Sequence, residues 1–325
     1  MDAPIRTSGL HIVDSSFVLS LEERLQFAWM PELPDVELYI ALLRKRLVGR
    51  RLATMKVFNP FVLRSVTPTI KELEGRDVVE IHRLGKRVVI EFTDQVFLVV
   101  HLMIAGRFRW VEGGTGETRL GGKIAMAAIT FENGTLFLTE AGSKKRASLA
   151  IVKGEEALAA HDPGGIDVLN CSLQEFSATL RKENHTVKDT LTDPHVFSGI
   201  GNAYSDEILH AAGISPVKRN SALTPEEIDR LHSAMKTVLR SWTERLQQEF
   251  GDRFPGAGDV TAFRPDFAVH GKFGQPCPVC GKPVQRIRYA DNEANYCAQC
   301  QNGGRILADR ALSRLLKDDW PRKLD

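Results

Sequence analysis

Residues 124–139 read Ile-Ala-Met-Ala-Ala-Ile-Thr-Phe-Glu-Asn-Gly-Thr-Leu-Phe-Leu-Thr, two β-prone runs (124–131 and 136–139) on either side of Asn133-Gly134. Asn-Gly is a strong hairpin signal, because both residues tolerate the backbone angles of a tight two-residue turn. Working back along the chain, residues 88–90, 96–102 and 108–111 are further β-rich runs. Together they predict a β-sandwich or barrel as the first folded unit. Ahead of it, Val36, Ile40, Leu43 and Leu47 recur at helical spacing after Pro34, and Gly49 is placed to end that helix in a left-handed conformation. Beyond Asp162-Pro163-Gly164-Gly165 the strand patterns stop, which marks a domain boundary. The following region reads as helical. Its clearest helix opens at Thr224-Pro225-Glu226-Glu227, where a threonine cap, a first-turn proline and a glutamate three after the cap coincide. Ile228, Leu231, Met235, Val238, Trp242 and Leu246 supply its buried stripe. Residues 251–258 are glycine-rich and read as a loop.

At 325 residues the chain is long enough for about two domains with a sizeable core. Hydrophobic residues make up 43% and charged residues 26%, an ordinary globular composition, and no apolar run reaches the roughly 20 residues of a membrane span. The net charge of +2 does not decide for or against a polyanionic partner, since placement matters more than the total. The first 29 residues lack the basic start, apolar stretch and cleavage site of a secretory signal, so a cytoplasmic location is expected, at the nucleoid in a bacterium.

Four of the five cysteines form two C-x-x-C pairs, Cys277-Pro-Val-Cys280 and Cys297-Ala-Gln-Cys300, sixteen residues apart. That is the spacing of a four-thiolate structural zinc ribbon, with one Zn2+ per chain and no position open for catalysis. Two disulfides or four buried thiols are the alternative. Lys272, Lys282, Arg286 and Arg288 surround the module and would suit either a phosphate backbone or a solvated face. Upstream, Ser198-Gly199-Ile200-Gly201-Asn202 leads into a helix over 203–212, with Asn202 as its capping residue. Such a turn is either a structural corner or an anion site, because it presents free N–H groups at a helix start. Lys188 lies within reach of the same anion.

Met30-Pro-Glu-Leu-Pro-Asp-Val-Glu37 resembles the start of the formamidopyrimidine-DNA glycosylase and endonuclease VIII family of DNA repair enzymes, closest to the first branch. The resemblance extends through Gly85-Lys86, His101-Leu102, Val187-Lys188, the segment from Gly199 to Glu207 and the cysteine module. It implies an α+β multidomain fold: an N-terminal β-sandwich with flanking helices, a helix-two-turns-helix domain and a C-terminal zinc ribbon. The expected limits are an extension over 1–29, the catalytic sandwich over 30–161, the helical DNA-binding domain over 162–258, the ribbon over 259–302 and a helical tail over 303–325.

By the same resemblance the partner is damaged double-stranded DNA, met by a monomer away from any membrane. A flipped-out base would be removed by a bifunctional glycosylase and abasic-site lyase acting on oxidised purines. Pro31 would be the nucleophile, Glu32 the proton shuttle and Lys86 a phosphate contact at the lesion. Lys188 and Asn202 would grip flanking phosphates, and Lys145 and Arg146 would touch DNA where the family carries its Arg-Arg-Phe wedge. Only a free amino terminus can do this chemistry, since an internal proline nitrogen is an amide. Translation is therefore expected to start at Met30, making residues 1–29 a misassigned start. Oxidised pyrimidines are the alternative substrates, and a non-catalytic damage-binding protein is the alternative if the extension stays attached. The chain departs from the family at Asp35, in place of glutamate, at Met103 and Ile104, where glycine and methionine are usual, and at Asn292, in place of a ribbon arginine.

Overall fold

A computed structural model describes residues 30–113, 124–141, 144–256, 258–261, 263–289, 292–308 and 323. The extension over 1–29, Gly142 and Ser143 of the wedge region, and Ala311, Leu315 and Leu316 of the expected tail helix lie outside the described residues.

Helix α1 (Leu33–Leu47) forms on the expected apolar spacing, with Pro34 in its first turn and Arg44, Lys45 and Arg46 in its last, where cations favour the helix dipole. Gly49 takes a φ of 77° just past its end. The helix is buried on more than one face. Val36, Tyr39, Ile40, Leu43 and Leu47 enter the sandwich core, Leu33 enters the core of the helical domain, and Leu38 and Leu42 meet Leu246 and Phe250. One helix thus joins both domains, and Pro31 and Glu32 sit at its start, in the seam.

The sandwich follows as β1 (Leu52–Val57), α2 (Ile70–Leu73), β2 (Val78–Leu84), β3 (Arg87–Phe92), β4 (Val96–His101), β5 (Gly106–Glu112), β6 (Ala125–Phe131), β7 (Gly134–Glu140) and β8 (Ser148–Lys153). Two four-stranded antiparallel sheets result, ordered β1-β6-β7-β5 and β2-β3-β4-β8. The hairpin at 133–134 is present with its turn moved back by one: Glu132 and Asn133 make the turn, and Gly134 opens β7 opposite Phe131. Gly134 is required by a close approach instead of a positive φ. A Cβ there would lie 2.4 Å from the Trp110 ring and 2.6 Å from the Val111 carbonyl oxygen.

After α3 (Glu155–Ala159) the chain becomes helical: α4 (Leu173–Leu180), α5 (Val187–Thr192), α6 (Asn202–Ala212) and α7 (Pro225–Phe250). Helix α7 begins with the expected capping box, in which Thr224 and Glu227 each accept the other's backbone N–H. It packs along α6 and α1. The ribbon is the hairpin β9 (Gln285–Tyr289) and β10 (Asn292–Tyr296) followed by α8 (Ala298–Asn302). Ile306 and Leu307 pack on its Ile287, Tyr296 and Ala298. Among the described residues no helix is long and apolar enough to cross a membrane.

Candidate active site

Glu32 is buried, and its carboxylate is held by three backbone N–H groups at the start of α6: Gly201 at 2.6 Å, Ala203 at 2.8 Å and Tyr204 at 3.2 Å. These are the orphan donors that every helix start leaves. The turn over 198–202, open in sequence to either a corner or an anion site, is an anion site whose anion is the protein's own carboxylate, and these three donors are spent on it. Its two glycines have distinct reasons. Gly199 takes a φ of 94°, and a Cβ on Gly201 would lie 2.5 Å from the Glu32 carboxyl carbon. Asn202 is the first helical residue and Gly201 the cap, so Asn202 does not cap α6 as its sequence position suggests. Its amide nitrogen is buried without a hydrogen-bond partner.

Glu32 also feels the charge of Lys86, in the tight turn Gly85-Lys86 between β2 and β3. Burial pushes the Glu32 carboxyl up from its ordinary range, while the Lys86 charge, the α6 N–H groups and His270 pull it back. Burial likewise lowers the Lys86 ammonium, against the pull of Glu32. Arg83 ties this turn to the helix start: it donates to Glu37 of α1 at 2.7 Å, to the Gly85 carbonyl at 3.2 Å and to Ser198 Oγ at 3.4 Å. His101, at the end of β4 opposite Arg87, is pushed down to about 4 by burial and by the charges of Arg87 and Lys86. It is neutral at pH 7. In the sequence, the signal of this placement is a histidine ending a run of apolar strand residues, Val96 to His101.

Asp35 accepts the Glu32 backbone N–H at 3.0 Å and is ion-paired with Arg264, both carboxylate and guanidinium being buried. Arg264 stands on the strap that leaves α7, crosses the sandwich at Val260, whose carbonyl accepts from Arg107 at 3.0 Å, and enters the ribbon. The strap thus reaches back to fix the peptide that follows Pro31. Nothing in the spacing of Arg264 announces this role, because its partner is 229 residues away.

Lys188 differs from expectation. Its ammonium donates inward to the Asn202 carbonyl at 3.1 Å, Ser205 Oγ at 2.9 Å and Asp206 at 2.5 Å. Three acceptors match the three donors of an ammonium, so Lys188 braces the start of α6 and has no N–H left for a phosphate. Asp206 also accepts from His270 Nδ1 at 2.7 Å and the Asn295 N–H at 3.0 Å. Burial opposes ionisation of Asp206, but Lys188 and His270 outweigh it, and its carboxyl lies below the usual range. Lys145 folds back onto the Glu140 carbonyl, whereas Arg146 is exposed. Neither has a described contact with the Glu32 group. Met103, in place of the family's glycine, keeps a φ of 54°, a left-handed conformation uncommon for a side-chain-bearing residue.

The four ribbon cysteines bring their Sγ atoms within 4.8 Å of one another, with Cys277 to Cys300 at 3.9 Å and Cys280 to Cys297 at 3.4 Å, and no disulfide. A tetrahedral Zn2+ with bonds of about 2.3 Å separates its sulfurs by about 3.8 Å, so the set fits. Burial raises the Cys297 and Cys300 thiols, and a divalent cation is what turns such a group into thiolates.

Comparison with known proteins agrees with this division. The family model described as formamidopyrimidine-DNA glycosylase N-terminal domain matches residues 30–145, the glycosylase's H2TH domain matches 165–250, and a zinc finger found in FPG and IleRS matches 274–303. A formamidopyrimidine-DNA glycosylase of Desulforamulus reducens is 31% identical over 283 residues, covering 84% of this chain and 99% of that protein. A formamidopyrimidine-DNA glycosylase-like protein of Mycobacterium tuberculosis is 40% identical over 153 residues, 47% of this chain and 94% of its own length. The Lactococcus lactis Fpg complexed with abasic-site DNA superposes with a TM-score of 0.72 at 25% identity, covering 83% of this chain and 99% of that one. Three models matched in chain order, and a relative aligned over nearly its whole length, leave one conclusion: the chain belongs to the formamidopyrimidine-DNA glycosylase family, DNA glycosylases of base-excision repair with a structural zinc finger.

Proposed function

We propose that the protein removes oxidised purines from duplex DNA and then cuts the strand, using the secondary amine of Pro31 freed as the amino terminus. The observation that carries this reading is the buried Glu32 carboxylate, adjacent to Pro31, fixed on the α6 start and opposed by Lys86. In the proposed reaction the amine forms a bond to C1′ of the flipped nucleotide as the bond to the base breaks and the base takes up a proton. Opening of the sugar gives an iminium ion. Its positive charge acidifies the neighbouring carbon, and β- and then δ-elimination release the two strand ends. A free α-amine is less basic than a lysine side chain, so it keeps a neutral, nucleophilic fraction at physiological pH.

Glu32 suits proton transfer because burial raises its carboxyl above the ordinary range, against the opposing pull of Lys86 and the helix start. Lys86 brings positive charge to the Glu32 carboxylate, and a phosphate at the lesion would meet the same charge. Asn202 offers a buried amide donor with no internal partner, which suits a phosphate oxygen. The purine assignment rests on the names of the relatives, and oxidised pyrimidines are the competing substrates. A damage-binding protein without catalysis is the competing function, favoured by one feature: in the chain as written, Met30 makes the Pro31 nitrogen an amide.

The test is strand scission of duplexes carrying one 8-oxoguanine or one oxidised pyrimidine, by protein whose amino terminus is Pro31. Cleavage of the first, with ends characteristic of β,δ-elimination and a loss of at least about a hundredfold in Glu32→Gln, is expected. Preferential cleavage of the second would overturn the purine assignment, and cleavage of neither would favour the binding-only reading.

A further inference from the structure

The two ends of α6 serve different chemistry. Its first turn holds Glu32, and its last turn reaches the metal site, where His210 Nε2 lies 3.3 Å from Cys277 Sγ. Both side chains are buried, His210 8% and Cys277 2% exposed. The same helix anchors the rest of the ribbon through two carboxylates. Asp206 takes His270 and Asn295, and Glu207 accepts the backbone N–H groups of Ala268, Val269 and His270. At the far side, Gln301 of α8 donates to the Ile214 carbonyl just past α6 and accepts the Cys297 N–H.

A zinc held by four thiolates carries a net charge of about −2, and here it lies by a helix C-terminus, the negative end of the helix dipole. Such a placement needs donors aimed at sulfur. A zinc-bound thiolate is an acceptor only, so in the His210–Cys277 pair the imidazole must donate. We propose that His210 is a positioning residue of the zinc site: its Nε2–H bond to the Cys277 thiolate orients that ligand, offsets its charge, and fastens the metal to the helix that holds Glu32 at its other end. A residue serving only to fill space in this position would need no donor, and that is the point at which the two roles separate.

The experiment uses the full zinc-loaded chain and reads metal, not repair activity. Zinc affinity is measured by competition with a chromophoric chelator, and the thiolate-to-metal charge-transfer band is recorded after Co2+ replaces zinc. His210→Phe keeps an aromatic ring and removes the donor; affinity is expected to fall about 10- to 100-fold, with a shifted band. His210→Gln restores an N–H and is expected to recover most of the affinity. Equal affinity and an unmoved band in His210→Phe would overturn the proposal, as would equal losses in both variants, which would mean packing alone. A measurement on the unaltered protein guards against variants that fail to fold. With NMR-active cadmium in the site, scalar coupling from the metal to the His210 Nε2 proton across the sulfur is expected, and its absence from a resolved His210 signal would also overturn the proposal.

Discussion

The sandwich core and the junction around α6 are both shut off from water, yet they are built by opposite means. In the sandwich, Ile81, Val88, Ile90, Leu98, Phe108, Ile129 and Leu136 exclude water by volume and pattern. Around α6, Glu32, Lys188, Ser205, Asp206, Glu207, His210 and His270 are buried, and each is held by a particular partner atom. Apolar packing tolerates substitution of like for like, because attraction between hydrocarbon groups has no direction. A buried charge tolerates almost none, because removing one partner strands the other.

The sharpest break of that contrast would come from two conservative exchanges. Asp206→Asn keeps shape and removes the charge facing Lys188 and His270; it is expected to cost about 3–5 kcal/mol in urea unfolding, against about 0.5–1.5 kcal/mol for Ile90→Val in the sandwich. Equal costs would erase the distinction.

A second pair of exchanges compares two glycines with equally little room. Gly201→Ala puts a methyl 2.5 Å from the Glu32 carboxyl carbon, and Gly134→Ala puts one 2.4 Å from the Trp110 ring. Each is expected to cost about 1–3 kcal/mol. Only Gly201→Ala is expected to slow base release, by displacing Glu32, and single-turnover kinetics on folded protein would show it. Slowing by Gly134→Ala to the same degree would mean that the junction is not the special region.

A further effect is one of pH, spread over more than two units. Between pH 6.5 and about 4 the unfolded chain protonates His101 while the folded chain, with its pKa lowered to about 4, refuses the proton. Stability held above pH 6.5 is therefore lost as pH falls through this window, by at most about 1.4 kcal/mol per pH unit. His101→Gln is expected to flatten that part of the curve, and an unchanged slope would place His101 in a more exposed setting.

The same contrast decides what could be read from the sequence. Helix α1, the Thr224-Pro225 start of α7 and the paired cysteines were legible, because each is a local pattern with its cause a few residues away. Strands β1, β2 and β8 escaped notice. In β1 only Leu52 and Met55 are buried, and in β2 only Val78 and Ile81, so neither alternates cleanly; β8 is a short run, Leu149 to Val152, between Ser148 and Lys153. The junction was half legible. The turn over 198–202 reads as either a corner or an anion site, with nothing local to say that Glu32, 169 residues earlier in the chain, would fill it. Lys188 reads as a phosphate contact because its acceptors belong to another helix, and Asn202 reads as a cap because local spacing cannot reveal that Gly201 caps α6 while Glu32, from a distant domain, takes the free N–H groups.

Whether this junction presents Pro31 as a nucleophile, as proposed, is tested most directly by borohydride trapping, since borohydride reduces the iminium to a permanent protein–DNA cross-link. Protein beginning at Met1 and protein beginning at Met30 would be compared on a duplex containing 8-oxoguanine or an abasic site. Cross-linking by the shorter protein alone, lost on Pro31→Ala or on blocking the amino terminus, is expected. No cross-link from a folded protein whose amino terminus is verified as Pro31, or a cross-link mapped to another residue, would contradict the account.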